Sequence, residues 1–498
     1  MNKKIIVIAV LGILLLTSIS TVSISGMPIE VENKKGNSEE ILTTLNDNHE
    51  KINPEWYKFW IKEPDAPPLT DNQYVHKHEH IVIDDVNGLI YTAGEGHTMI
   101  SIGYKANYLL QYDLGSEDLL NYKTWIWEEE SSLAPNSPVI CSKNGYIYVA
   151  RTSPNEECLI VEKYDKNLDD AIWSNQVFHE NNEPWRSEPA TMIIDSNNNL
   201  YIAGMCAFDE YMSRTSFVIK IKDDGNSADV KWRDFQEHNI PGLCSGLPIG
   251  LKSLVVHNGY LYACGWFERV ADENSDDLWI LKYDISTGER VKETFWNLED
   301  EMHVFGELGK SVMCFNNNLY VFGYIMTCPL GVSAAAMWKY DLELNLIDDT
   351  PKIILDECDR NHVSEVVKYG DYFYVVGFLE ENVGPGSWLP ILFISKYDFN
   401  GDMVWDSCKT WAYGKFSSAS EGFSIAAYNN NLYIGGRELS GLSNHWGDAF
   451  LLKCNLEGGH SGSSSDSKMK YSNILDKFPL FSRLLGHFSI FNNLKIIK

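Results

Sequence analysis

Tyr91, Tyr148, Tyr201, Tyr262, Tyr320, Tyr374 and Tyr433 recur along this 498-residue chain at intervals of 53 to 61 residues. Each closes a short apolar run, and six of the seven runs end in glycine: "LIYTAG", "NLYIAG", "LYACG", "NLYVFG", "FYVVG" and "NLYIGG", against "IYVAR" for the second. An octapeptide opening Asn-Asn-Asn returns three times, at 197–204, 316–323 and 429–436. A period this long restricts the chain to architectures in which one supersecondary unit packs on copies of itself.

The unit is legible within each repeat. Ahead of the tyrosine lies an apolar run and an Asn/Gly turn ("HIVIDDVNG", "SLVVHNG", "SIAAYNNN"), residues that tolerate the positive φ of a tight hairpin. After a variable loop comes a third run, "LLQYD" (109–113), "VEKYD" (161–165), "VIKIKD" (218–223), "ILKYD" (280–284), "MWKYD" (337–341), "ISKYD" (394–398) or "LLKCN" (451–455). A fourth, often Trp-bearing run follows, with Trp125, Trp173, Trp232, Trp296 and Trp405. Four antiparallel strands a, b, c and d per period predict an all-β, seven-bladed β-propeller, with an open solenoid of hairpins as the alternative.

The last repeat runs from strand c into "EGGHSGSSSDS" with no strand d, whereas "PEWYKFWIKEP" (54–64) precedes the first strand a and resembles a d segment. Residues 55–62 are therefore expected to close the last blade and hide its edge. The domain reading is 1–25 signal peptide or uncleaved anchor, 26–50 linker, 51–457 propeller, 458–467 flexible linker and 468–498 C-terminal amphipathic helical tail. Lys3 and Lys4 before "IIVIAVLGILLL" carry the export reading, which makes the protein secreted or tethered at the cell surface. The tail is a candidate membrane or cell-envelope contact, a docked helix or a free end.

"IIDSNNNLYIAG" and "ISKYDFNGDMVW" are similar to the secreted β-propeller repeat of bacterial and archaeal surface proteins, a resemblance extending over about 75–457. It implies fold and exported context and supplies no catalytic residues. The Gly-His and Trp-Asp signatures of WD40 repeats are absent from the periodic positions.

A formal net charge of −28 disfavours nucleic acid as a partner and fits a solvated monomer, or affinity for divalent cations such as Ca²⁺. Ten cysteines without CxxC spacing argue against structural zinc. Cys206 with Cys244, and Cys328 with Cys358, are disulfide candidates because both pairs span the same two loops.

The b–c and d–a loops share one face of a propeller, and function is expected there. Counting back from the tyrosines places Glu79, Glu188, Glu307 and Glu421 at the entrance to strand a, a candidate ring for a cation or hydroxyl-rich ligand. Trp185, Trp388 and Trp446 are placed to cap blade edges or, as the alternative, to stack on sugars. His97, His179, His238, His303 and His362, with Arg186, Arg360 and Glu365, are either solvated loop residues or an acid/base site, no spacing selecting one pair. The favoured function is a non-catalytic module binding a protein or glycan at the loop face. The alternative is a polysaccharide lyase or hydrolase with its site at the channel mouth.

Overall fold

The computed structural model describes residues 50–51, 54–59, 73–98, 105–126, 137–153, 158–177, 186–207, 214–236, 250–269, 275–296, 304–327, 332–348, 350–355, 360–384, 387–405, 408–411, 419–439 and 448–456. All regular structure among them is strand. The expected signal segment and the C-terminal tail lie outside the described residues, as do most of the b–c and d–a loops.

Each repeat forms antiparallel strands in sequential order. Repeat one pairs Gln73–Asp84, Leu89–Thr98, Lys105–Asp113 and Leu119–Ile126. Repeats two and three follow as separate four-stranded sheets, from Val139–Lys143 to Trp173–Gln176 and from Arg186–Ile194 to Ala228–Gln236. Repeats four to six have the same order and are linked by single parallel pairings, Asp276 with Gly306 and Ser333 with Arg360. In repeat seven Ala419–Tyr428, Asn431–Leu439 and Asp448–Asn455 gain Trp56–Phe59, antiparallel to the third strand with Trp56 opposite Lys453. Glu50–Lys51 lies parallel to Lys409–Trp411, at the outer edge of repeat six.

Apolar layers lie between neighbouring repeats. Tyr91, Leu109, Ile140 and Val149 join repeats one and two, and Tyr374, Ile394, Ile434 and Leu452 join six and seven. A further layer, Ile81, Ile90 and Leu110 with Tyr433, Ala449 and Leu451, joins the last repeat to the first. The sheets therefore form a closed circuit, with the a strands side by side around its axis. This is a β-propeller, and closure removes the exposed edges an open array would carry.

The signature residues are latches between blades. Opposite the b-strand tyrosine stands the c-strand lysine, as in Tyr201 with Lys220 and Tyr320 with Lys339, its ammonium 5.7 and 5.6 Å from the ring centroid. That lysine also reaches the next blade, where Lys220 donates to the Ile285 carbonyl at 2.7 Å and Lys282 to the Leu342 carbonyl at 2.9 Å. The d-strand Trp232 donates to the same Ile285 carbonyl at 3.1 Å. In repeat one Gln111 replaces the lysine, and donates to the Tyr91 hydroxyl and the Lys166 carbonyl. The aspartate caps the c–d turn, Asp398 accepting from the backbone of Asn400 and Asp402.

The recurring glycine has a different cause. In every repeat but the second, strand a carries a β-bulge opposite it: Glu79, Ala190, Lys252, Lys310, Ser364 and Phe423 are the inserted residues. The bulged backbone presses on strand b, so a Cβ at Gly323 would stand 1.8 Å from the Leu308 carbonyl oxygen. Repeat two has Arg151 at this position, and its a–b pairing from Val139 onward shows no register shift. Gly323→Ala is expected to lower stability by about 2–3 kcal/mol through forced backbone movement. Chemical denaturation would measure it, and a loss within error of zero would refute the requirement.

Candidate functional site: the axial cavity

The bulges decide what faces the axis. An inserted residue turns its side chain out of the sheet's alternation, and all six inserted residues line one cavity of about 380 Å³ together with Ser137 of repeat two. The motif that repeats is therefore a frame, and the residue it presents differs from blade to blade.

The cavity has two unlike sides. Around repeats seven and one the charges are paired. Lys77 Nζ lies 2.7 Å from Glu79 Oε1 and 3.1 Å from Glu95, and away from the cavity lining Arg437 Nε lies 2.5 Å from Glu421 Oε2. Burial acts to raise the Glu79 carboxyl, but the Lys77 ammonium overrides it and holds the group below its ordinary value. Burial with little opposition drives His80 down to about 4, so it is neutral near pH 7.

Around repeats four to six the groups are cationic and aromatic. Lys252 and Lys310 both stand over the ring of the buried Trp266, 5.2 and 5.1 Å from its centroid, and Lys310 is also 5.5 Å from the Tyr324 ring. Among the described residues neither lysine has a carboxylate within ion-pair distance or a hydrogen-bond acceptor. Burial, followed by repulsion from Lys252, pushes Lys310 down to about 7. Burial lowers Lys252 as well, against the attraction of Glu79 and Glu188.

His362 packs edge-on to Tyr324 at 4.8 Å and stacks on Phe378 at 4.7 Å. Its Nε2 is buried with no hydrogen-bond partner among the described residues, Glu380 Oε2 standing 3.9 Å away, and burial beside Lys310 and Arg360 lowers it to about 4. Glu365 accepts a hydrogen bond from the Ile425 backbone at 2.8 Å, and burial raises its carboxyl to about 7. The residue at the equivalent place in repeat four is Ser253, which accepts from Val312 N, so Glu365 has a blade-joining role as well as a place in the wall.

The four glutamates counted from the tyrosines do not form one ring. Glu79 occupies the bulge itself, whereas Glu188 and Glu421 precede their bulges by two residues and Glu307 by three. The cause is turn length. Repeats four, five and seven use two-residue turns with both residues at positive φ (Asn258-Gly259, Asn316-Asn317, Asn429-Asn430), but repeat one spans Asp85–Gly88 and repeat three has a longer turn braced by Asp195. Counting through unequal turns shifts the register. Glu79 and His362 thus share the cavity, while the Glu188, Glu307 and Glu421 side chains are placed apart from it.

Trp185, Cys244, Cys328 and Cys358 lie outside the described residues. Cys206 is a buried free thiol packed between repeats two and three. Among the described residues no group of three or more His, Cys, Asp or Glu side chains is placed to hold a metal ion. The lysines were missed because nothing in a single repeat marks Lys252 or Lys310. Where the a–b turn has two residues, the bulge lies ten positions before the tyrosine, and that count reaches Lys252 from Tyr262 and Lys310 from Tyr320.

No protein-family model and no curated protein matches the chain. Among solved structures, polysaccharide lyase Uly1 is similar at a TM-score of 0.48 and 11% identity, covering 81% of this chain and 100% of its own. A polysaccharide lyase described as an ulvan lyase gives 0.48 at 10% identity, covering 77% and 96%. The β-propeller domain of the Trilobed protease from Pyrococcus furiosus gives 0.43 at 11% identity, covering 79% and 100%. At these values the likeness adds nothing to what the strand pairings state.

Proposed function

We propose that this chain is an exported, seven-bladed propeller that binds an anionic ligand, of the acidic-glycan class, at the axial cavity beneath its loop face. One observation carries the reading: two lysines line that cavity beside aromatic rings, neither with a carboxylate within ion-pair distance among the described residues, in a chain of formal net charge −28. Uncompensated cations in a desolvated site are costly unless a ligand supplies the counter-charge. The aromatic rings of Tyr324, Phe378 and Phe423 offer faces for a sugar ring, and the orphaned His362 Nε2 offers a polar contact. The count of seven rests on the tyrosine repeats, and export on the basic and apolar start of the chain.

Calorimetry with oligogalacturonate against a neutral oligosaccharide tests this. The acidic oligomer is expected to bind and the neutral one not. Lys252→Met with Lys310→Met should weaken binding by at least about tenfold, or 1.4 kcal/mol. Equal affinity in the double variant would end the proposal.

The affinity should also fall as pH rises through about 7. Lys310 loses its charge there, and Glu365 gains a negative one, so both changes oppose an anion. Between pH 6 and pH 8 a loss of up to about tenfold is expected, with proton uptake on binding at pH 7. An affinity that is flat across this window would remove Lys310 from the site.

The enzymatic reading, a polysaccharide lyase or hydrolase, draws on the same wall. A neutral Lys310 amine beside Tyr324, whose hydroxyl burial raises to about 12, is a set of groups suited to moving protons. Release of products from acidic polysaccharides, abolished by Tyr324→Phe, would favour it over binding alone.

A further inference from the structure

We infer that Lys310 is a nucleophilic amine that captures small carbonyl compounds bearing a carboxylate, such as 2-oxo acids or aldehyde acids, as an imine. This deepens the reading of the cavity as an anion site and rests on it.

Three features single this lysine out. It projects from a bulge into the axial cavity rather than from a flat sheet, and so presents its amine to a bound molecule. Its contacts are the Trp266 and Tyr324 rings, which give the ammonium little in place of water and no fixed negative charge. Lys252 stands over the same indole at 5.2 Å, a second cation that disfavours charge on the first. Desolvation together with a neighbouring cation is one general way to keep a lysine amine unprotonated and reactive near neutral pH. Burial and Lys252 do lower Lys310 to about 7, with Cys264 acting weakly the other way. By contrast Lys163, Lys220 and Lys282, which latch neighbouring blades, donate to carboxylate or carbonyl oxygens.

The step is balanced without an oxidant. The Nζ lone pair adds to the carbonyl carbon, and the carbonyl π pair moves to oxygen, which takes up a proton from the nitrogen. Loss of that oxygen as water, with the second amine proton, leaves a C=N bond. Lys252, which lines the same cavity, is the cation assigned to the ligand's carboxylate.

Reductive trapping tests the inference on the full chain. Glyoxylate with cyanoborohydride is added at pH 7, and labelled lysines are quantified by peptide mass spectrometry. Lys310 is expected to be labelled at least about tenfold faster than the mean of the other lysines, and the excess should vanish in Lys310→Arg. The preference should shrink with acetaldehyde, which has no carboxylate, and in Lys252→Met. Labelling of Lys310 at the rate of surface lysines overturns the proposal. Selective labelling indifferent to the ligand's carboxylate overturns the part given to Lys252. Where oligogalacturonate binds the wild-type protein but Lys310 is not selectively trapped, the imine is lost and the anion site stands; where neither occurs, both fall.

Discussion

Excising residues 50–59 should lower the melting temperature by on the order of 10 °C and promote association of the protein. The segment acts at two places. Trp56–Phe59 is the fourth strand of the repeat-seven sheet, and Glu50–Lys51 extends the repeat-six sheet by parallel pairing with Lys409–Trp411. Backbone bonds from Glu55 N to the Lys453 carbonyl at 2.9 Å, and the Glu55–Lys453 ion pair at 3.1 Å, begin the clasp. Its removal frees a row of donors and acceptors on Asp448–Asn455, an edge able to pair with another chain. Calorimetry and light scattering would check both effects, and a synthetic peptide of the segment should restore part of the loss. A melting curve unchanged by the excision would show that the ring does not depend on it.

The second large effect is expected at Asp223. This carboxylate, 3% exposed at the end of a c strand, accepts from Lys163 Nζ at 2.9 Å and the Tyr148 hydroxyl at 2.7 Å. It also accepts from Trp173 Nε1 at 3.0 Å and the Gly225 backbone at 2.9 Å. Three of the four donors come from the neighbouring repeat, so one side chain joins two blades. Asp223→Ala strands the Lys163 ammonium, itself 4% exposed, and should cost about 3–5 kcal/mol. Adding Lys163→Met should recover part of that loss, because a buried pair removed whole leaves no orphan charge.

The pH dependence has a definite sign. Burial would raise the Asp223 carboxyl, but Lys163 and the other donors outweigh it and hold the group below 3.8. The stabilisation is therefore complete above about 3.8 and is lost at more acid pH, as the folded-state carboxyl takes up a proton. Acid titration of stability should show this component in the wild type and not in Asp223→Ala. Equal acid sensitivity in the two proteins would remove Asp223 from the role.

Why these residues and not others were legible in the sequence follows from what repeats. Tyr201, Lys220 and Asp398 answer demands every blade makes: a cross-strand partner, a tie to the next blade and a capped turn. Identical demands leave identical residues, so a ruler laid on tyrosine finds them. Even so, the same spelling hides different turns. Asn316-Asn317 and Asn429-Asn430 are two-residue turns with both residues at positive φ, whereas in the matching octapeptide of repeat three only Asn198 has positive φ.

The site is the reverse case, because a cavity on a pseudo-symmetric axis gains its character from the differences among blades. Of the candidates counted from the tyrosines or drawn from the loops, Glu79 and His362 line the cavity, while Glu188, Glu307 and Glu421 do not. Lys252 and Lys310 sit some 60 residues apart in a chain with 41 basic side chains, with no local pattern to mark either.

By itself, then, the sequence determined the repeating unit, its four strands and the latches between neighbours, since these are local or nearest-neighbour matters of periodicity and turn chemistry. Only the tertiary structure decided which side chains meet at the axis. That depends on the residue inserted in six of the a strands and on the glycine that admits it, a shift of register that turns Lys310 toward Trp266 and Tyr324. A displacement of one position along a strand reverses the face a residue occupies, and the pairing that fixes it exists only once the strands have met.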